Sequence, residues 1–304
     1  MPTVCILPTL AEWENRTWGG VLRCAEALCK YAPEWEWKIT DNPDTADVVH
    51  TLGMKEHPRS KIYTCLGFWE NKVVPEYEKA QRKIERLATQ SQVFTVLSQW
   101  AKEFFEERIG RSAEVISLGA DYSIMQTIMP TSSTLDFLWA KAGTYFPNCN
   151  YGATPVVELA KHMPNYLFGL TVVSPELDLV SPNGKNDLSN VVVVGQQAYN
   201  NMLRIIASCK VYISTVKETF GAQTIEAMAM GKPVLAYNFG GSTEILTHMV
   251  DGFLVPPGDS LLEGATYILE HYAEMSLAAR KTAIKYDWRS VVIPQYIQCW
   301  EKVL

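Results

Sequence analysis

The chain has 304 residues with 47% hydrophobic and 20% charged side chains, which suits two globular domains and excludes an intrinsically disordered protein. Its net charge of −6 argues against a nucleic-acid binder that depends on charge alone, although it is compatible with a local basic patch. No apolar run reaches the roughly 18 residues that span a bilayer, the N-terminus lacks a signal-peptide pattern, and the seven scattered cysteines form no CxxC pair, so we expect a cytoplasmic protein.

The first part of the chain alternates short β-rich runs with helical stretches. Helices are predicted at 19–32 and 75–90, and a third runs from a cap at Ser98 to a terminating Gly110. The predicted strands lie at 3–7, 46–53, 61–67, 93–98 and 113–121. Because strands alternate with helices, this pattern predicts a parallel sheet covered on both faces.

The alternation restarts after a short polar segment at 128–136, which is the best linker candidate. Strands are predicted at 135–140, 166–173, 190–195, 210–215, 233–238 and 252–257, and helices at 153–163, 200–209, 222–230, 241–249, 260–275 and 288–304. We therefore predict two doubly wound α/β domains, at 1–128 and 129–285, and a C-terminal helix at 286–304 that crosses back onto the first. Ligands bind such sheets at the carboxyl ends of the strands, so two facing domains would form one cleft.

Two carboxylates in the second domain stand out in "KETFGAQTIEAMAMGKPVLAYNFGG". Glu218 follows the strand at 210–215, and Glu226 lies about one turn into the next helix, so both side chains can reach one crevice. Between them stand Phe220, Gly221 and Ala222. The N–H groups at this helix start carry partial positive charge, and carboxylates accept hydrogen bonds from sugar hydroxyls. The alternative is a helix-capping acid and a solvated helix face.

A second glycine turn follows at Gly240 and Gly241. Its amides could hold an anion such as a diphosphate, because successive N–H groups form an anion-binding concavity. The alternative is a plain turn between a strand and a helix.

The segment "ETFGAQTIEAMAMGKPVLAYNFGGSTEIL", followed by "DGFLVPPGD", resembles the donor-binding segment of the retaining glycosyltransferases of family 4. The resemblance implies a GT-B fold, in which two Rossmann-like domains hold a nucleotide sugar in an interdomain cleft. It also implies that no metal or other cofactor is needed, since the nucleotide sugar is a co-substrate. By the same resemblance, Glu226 binds the ribose, Glu218 binds the donor sugar, and amides near Phe220, Gly221 and Ala222 meet the sugar and phosphate.

Two features of the first domain extend the resemblance. "WGGVLRCAEAL" is similar to the family's N-terminal glycine loop, which implies that Gly19 and Gly20 approach the diphosphate and the acceptor. A glycine pair before a helix is also an ordinary loop feature. His50 resembles a position where family members carry a histidine near the donor sugar, and its alternative is a structural histidine.

The sequence departs from the family where a cation is expected on the diphosphate. The family has an arginine after the first strand of the second domain and a lysine a few residues later. Here Lys141 stands roughly in the arginine's place, and no lysine or arginine follows until Lys161. We predict that Lys141 meets the leaving diphosphate, with Arg204 or Lys217 as the alternatives.

The resemblance implies transfer of a hexose or pentose from a UDP- or GDP-sugar to an acceptor hydroxyl, with retention at the anomeric carbon and without a metal. The acceptor stays open among a glycan, a lipid-linked sugar, a protein and a modified DNA base, as in virus-encoded DNA glycosyltransferases. The oligomeric state stays open as well. A non-catalytic nucleotide-sugar-binding module is a further alternative, whereas a dinucleotide-dependent oxidoreductase is excluded because no GxGxxG follows a predicted strand.

Overall fold

The computed structural model describes residues 1–13, 19–68, 75–140, 152–171, 188–195 and 197–304. Its strands, in chain order, are β1 Thr3–Leu7, β2 Lys38–Ile39, β3 Val48–Leu52, β4 Ser60–Cys65, β5 Val93–Val96, β6 Glu114–Val115, β7 Leu135–Trp139, β8 Phe168–Leu170, β9 Val191–Val193, β10 Cys209–Ser214, β11 Val234–Tyr237 and β12 Gly252–Val255.

The α-helices are α1 Gly20–Tyr31, α2 Pro75–Gln90, α3 Gln99–Ile109, α4 Tyr122–Met125, α5 Ala153–His162, α6 Tyr199–Ser208, α7 Ala222–Ala229, α8 Ser242–Ile245, α9 Leu262–Glu270, α10 Tyr272–Ile284 and α11 Ile293–Glu301. Two 3₁₀ turns, Leu10–Trp13 and Ala32–Trp35, and one π-helical turn, Trp288–Val292, complete the set. Within these ranges no helix combines the length and the apolar character that crossing a bilayer requires.

The chain forms two compact units, residues 1–119 together with 286–304, and residues 120–285. The first boundary therefore falls after Gly119 and not at the predicted residue 128. The reason is that α4 and the residue that follows it belong to the second unit, where the amide of Gln126 donates to the carbonyl oxygen of Ala229.

The first unit is built on a parallel sheet in the strand order β2-β1-β3-β4-β5-β6. One face of this sheet carries an aromatic core in which Tyr63 stacks on Phe94 with ring centroids 5.8 Å apart, and Phe105 of α3 meets Phe94 edge-on at 5.1 Å. These three rings join two strands to the covering helix, which buries the apolar area that stabilises the unit.

The second unit is built on a parallel sheet in the strand order β12-β11-β10-β7-β8-β9. From β7 the chain adds β8 and β9 on one side, then returns to add β10, β11 and β12 on the other. The point where the order reverses lies between β7 and β10, and such a switch point leaves a crevice at the carboxyl ends of the two strands. The predicted α/β class with two doubly wound parallel sheets is confirmed.

Local signals set several element ends as predicted. The hydroxyl of Ser98 accepts the N–H of Ala101 at 3.1 Å at the start of α3, and Gly110 ends that helix with a left-handed φ of 63°. The prediction of a helix at 241–249 is wrong beyond Ile245. There the carboxylate of Asp251 accepts the N–H of Thr247 at 2.8 Å, which stabilises a turn in place of further helix.

Candidate functional site

The switch point of the second sheet is organised by a buried tryptophan at the end of β7. The Nε1 of Trp139 donates to Thr215 Oγ1 at 3.0 Å, and that hydroxyl donates to the carbonyl oxygen of Gly152 at 2.6 Å. A small cavity lies beside this chain of bonds, lined by Trp139, Ala140, Tyr212, Ile213, Ser214, Thr215, Val216 and Glu218. Lys141, the predicted diphosphate ligand, follows Ala140 and lies outside the described residues.

Glu218 lies beside the N-terminus of α7. Its side chain is half-buried, and a Cβ built on Gly221 would lie 3.4 Å from Glu218 Oε2. Gly221 is the residue before the helix and has a φ of 107°. Residues with a side chain rarely adopt this φ, because the Cβ makes the conformation strained. The carboxylate is therefore close to the helix end that carries partial positive charge, where an acid is stabilised. Phe220 is buried and Ala222, the first residue of α7, is half-buried in the same turn.

The second glycine turn packs directly against this loop. The N–H of Gly241 donates to the carbonyl oxygen of Glu218 at 2.9 Å, and a Cβ on Gly241 would lie 2.4 Å from both Cα and O of Phe220. A Cβ on Gly240 would lie 2.7 Å from the same carbonyl oxygen of Glu218.

These distances correct the expectation for Gly241. Its amide is used within the protein and is not offered to a diphosphate. The physical reason for the two glycines is close approach between the two turns, which any side chain would prevent.

Glu226 is buried, with 1% of its surface exposed, and it lies on α7 one turn from the helix start. The hydroxyl of Tyr199 donates to Glu226 Oε1 at 2.7 Å. Tyr199 is the first residue of α6, and sequence reasoning did not identify it. No spacing rule predicts a contact between residues 27 positions apart on different helices.

Thr224 is a second polar residue of α7 that sequence reasoning missed. It is 1% exposed, and its Oγ1 has no hydrogen-bond partner among the described residues. A Cβ on Gly221 would lie 3.2 Å from this oxygen, so the hydroxyl lies in the first turn of the helix. A buried hydroxyl without a partner costs free energy unless a ligand or water supplies one.

The other end of α7 is held by a cation. Arg280 of α10 donates from Nη2 to the carbonyl oxygen of Met230 at 2.9 Å and from Nη1 to that of Ala229 at 3.2 Å. Because terminal carbonyl groups carry partial negative charge, a guanidinium stabilises them there. Both ends of the helix that carries Glu226 are therefore anchored within the unit.

Gly19 and Gly20 lie in the first unit, where α1 begins at Gly20 after the carboxyl end of β1. Gly19 is exposed, and a Cβ on Gly20 would lie 3.1 Å from Leu118 Cδ1. The helix start thus lies at the edge of the sheet where the sequence placed it, and the contact of this pair with a ligand stays a prediction.

His50 is a correction, because it is buried and both of its ring nitrogens are bonded to side chains of the first unit. Trp300 of α11 donates from Nε1 to His50 Nδ1 at 3.2 Å, and His50 Nε2 lies 2.7 Å from Thr64 Oγ1. Since an indole N–H can only donate, Nδ1 accepts and Nε2 carries the proton. The Thr64 hydroxyl also shares a hydrogen bond with the Thr95 hydroxyl, with the two oxygens 2.6 Å apart. Burial lowers the pKa of His50 to about 3, so the imidazole is neutral and structural.

A metal site was not expected, and none is assembled by the described side chains. Within those ranges no group of three or more His, Cys, Asp or Glu residues is placed to hold an ion. Metal-independent chemistry stays a prediction.

Comparison with known proteins bears on the second unit. Residues 185–286 match the family model of "Glycosyl transferases group 1". A sucrose synthase from Acidithiobacillus caldus is 35% identical over 102 residues, which cover 29% of this chain and 13% of that protein. The matches to three curated relatives, this one included, span 13%, 22% and 24% of those proteins' lengths.

Two solved structures resemble the whole chain. A sucrose-phosphate synthase from Thermosynechococcus elongatus superposes with a TM-score of 0.77 at 14% identity, covering 100% of this chain and 99% of that one. HepE from Anabaena, solved in complex with UDP-glucose, superposes with a TM-score of 0.69 at 15% identity, again covering 100% and 99%. The chain therefore has the GT-B fold, and its residues 185–286 match the family model of group 1 glycosyltransferases.

Proposed function

We propose that this protein transfers a sugar from a nucleotide-sugar donor to an acceptor hydroxyl. The observation that carries the proposal is that the matched family segment, 185–286, contains both carboxylates and both glycine turns. The proposal is supported by the position of the Glu218 loop beside the cavity at the switch point of the parallel sheet, since α/β proteins bind ligands at such points.

Each residue has a distinct role in the proposed donor site. Glu226 accepts hydrogen bonds from the ribose, and Glu218 accepts them from the donor sugar. The amides of Phe220, Gly221 and Ala222 meet the sugar and the phosphate. The position of Glu218 Oε2 near Gly221 supports this assignment, because one ligand can then meet the carboxylate and the helix start together.

The diphosphate also needs a cation. Lys141 is our first candidate, because it stands two residues after the end of β7 in the sequence, and β7 borders the switch point. Lys217 is the better of the two alternatives, since it follows β10 and is exposed at the same edge of the sheet. Arg204 lies in the middle of α6, farther from the edge where that helix begins.

The proposed reaction retains the anomeric configuration and needs no metal. The bond from the anomeric carbon to the diphosphate oxygen breaks, and a bond from that carbon to the acceptor oxygen forms. The acceptor proton goes to the departing phosphate oxygen. The protein contributes fixed dipoles and positioning, which act where negative charge develops.

A DNA acceptor has no specific support in the described surface. The basic side chains of α2 are partly neutralised, because Arg86 makes two hydrogen bonds to the carboxylate of Glu56 at 2.6 and 3.0 Å. Arg82 in the same helix pairs with Glu78. A glycan, lipid-linked or protein hydroxyl is therefore the acceptor class that we propose.

The proposal is tested by calorimetric titration of the protein with UDP- and GDP-sugars. We expect one class of donor to bind, and Glu226→Gln to weaken that binding at least about 10-fold, as loss of a charged hydrogen-bond acceptor does. Glu263→Gln is the matched control, because Glu263 lies exposed on α9 of the same unit. Absence of binding by every donor would contradict the proposal.

A further inference from the structure

The carboxylate assigned to the ribose is held by another side chain before any ligand arrives. Glu226 is 1% exposed, and its Oε1 accepts the hydroxyl hydrogen of Tyr199 at 2.7 Å. A carboxylate has two oxygens and about four lone pairs, so one bond to a phenol uses a minor part of its accepting capacity. The bond fixes the rotation of the carboxylate without saturating it.

The placement of the two residues follows from the fold. The chain leaves β9 at the carboxyl edge of the sheet, and α6 starts there with Tyr199 as its first residue. The chain leaves β10 at the same edge, and α7 carries Glu226 one turn below it. The hydroxyl donor of Tyr199 on α6 and the carboxylate acceptor of Glu226 on α7 thus lie near the same edge of the sheet. The rigid phenol ring bridges the space between the two helices.

We propose that Tyr199 is a positioning residue that aims the Glu226 carboxylate at the ribose hydroxyls, and so sets the preference for ribonucleotide donors. This inference rests on the proposed function. Without the phenol, the carboxylate loses one restraint on its orientation, and that order must be restored on binding. A group that needs no reorganisation binds more tightly than one that must be ordered.

The test compares Tyr199→Phe with the wild type in calorimetric titrations with UDP, GDP and their 2′,3′-dideoxy counterparts. The substitution keeps the ring and removes one hydroxyl. We expect the affinity for the ribonucleoside diphosphate that binds to fall about 10-fold, and that for its dideoxy counterpart to change less than about twofold. An equal loss for both ligands, or no loss for either, would overturn the inference.

A double variant separates positioning from general damage. If Tyr199 acts through Glu226, Tyr199→Phe added to Glu226→Gln lowers ribonucleotide affinity no further than Glu226→Gln alone. An additive loss would contradict the coupling. Tyr166→Phe is the matched control, because Tyr166 precedes β8 and lies at the opposite, amino end of the sheet.

Failure of the inference and failure of the proposed function have different signatures. A wild-type protein that binds no nucleotide overturns both. A wild-type protein that binds ribonucleotides, combined with an unchanged ratio of ribo to dideoxy affinity in Tyr199→Phe, overturns the inference alone.

Discussion

The N–H of Gly241 donates to the carbonyl oxygen of Glu218 at 2.9 Å, so the second glycine turn supports the loop of the first carboxylate. From sequence alone the two turns are separate anion-binding candidates. In the structure the two turns pack against each other, and the second turn holds the backbone of the first in place. The position of Glu218 therefore depends on a residue that need not touch any ligand.

Substitution of Gly241 by alanine tests this packing. The added Cβ would lie 2.4 Å from Cα and O of Phe220, so backbone must shift. We expect Gly241→Ala to lower the free energy of unfolding by about 1–3 kcal/mol, measured by urea denaturation. Gly67→Ala is the control, because a Cβ there meets no atom of the described residues within 4 Å. Equal stability of the two variants would contradict the packing role.

Substitution of Thr224 by valine is expected to maintain or raise the stability of the protein. The buried Oγ1 of Thr224 has no partner among the described residues, so Thr224→Val removes an unsatisfied group and keeps the shape. We expect the free energy of unfolding without ligand to stay equal or rise by up to about 1 kcal/mol.

Thr282→Val provides the contrast in the same unit. The hydroxyl of Thr282 donates to Asp251 Oδ2 at 2.6 Å, and Asp251 is itself buried. We expect this variant to lose about 1–3 kcal/mol, because a buried carboxylate loses a donor. If Thr224→Val is the more destabilising of the two, our interpretation of Thr224 is wrong.

The low pKa of buried His50 makes the free energy of unfolding depend on pH. Its pKa is about 3 in the folded chain and near the ordinary value of 6.5 in the unfolded chain, so the unfolded state binds the extra proton between these values. The stabilising contribution of neutral His50 is therefore complete above about pH 6.5 and is lost as the pH falls toward 3. The expected total is on the order of a few kcal/mol.

The measurement is the slope of unfolding free energy against pH between about pH 5 and 7, for the wild type and His50→Gln. The wild type should lose stability faster on acidification than the variant, whose residue 50 does not titrate. A nucleotide affinity that falls in His50→Gln without loss of stability would instead restore His50 to the donor site.

The sequence predicted elements whose ends depend on local chemistry. Helix α3 has both ends marked by adjacent residues, Ser98 and Gly110, and α2 was predicted with its observed bounds. The loop of Glu218 and the start of α7 were predicted in the same way, because strand, glycine and helix follow one another directly. Strand β2, two residues long, gave no periodic signal.

Features that depend on distant residues were not predicted. His50 follows an apolar strand pattern that places it at a binding edge, yet Trp300, 250 positions away, covers it. The contact between Tyr199 and Glu226 joins two helices. Helix α8 is short because the carboxylate of Asp251 accepts the N–H of Thr247. Each case is a tertiary hydrogen bond that overrides a local pattern.

The central claim is that the chain turns over a nucleotide sugar, and release of nucleoside diphosphate tests it most directly. The wild type would be incubated with UDP- and GDP-sugars, with and without hydroxyl-bearing acceptors, beside Glu226→Gln and the control Glu263→Gln. We predict release with at least one donor by the wild type and the control, and a loss of about 10-fold or more in Glu226→Gln. Release that is absent with every donor, or equal in all three proteins, would contradict the account.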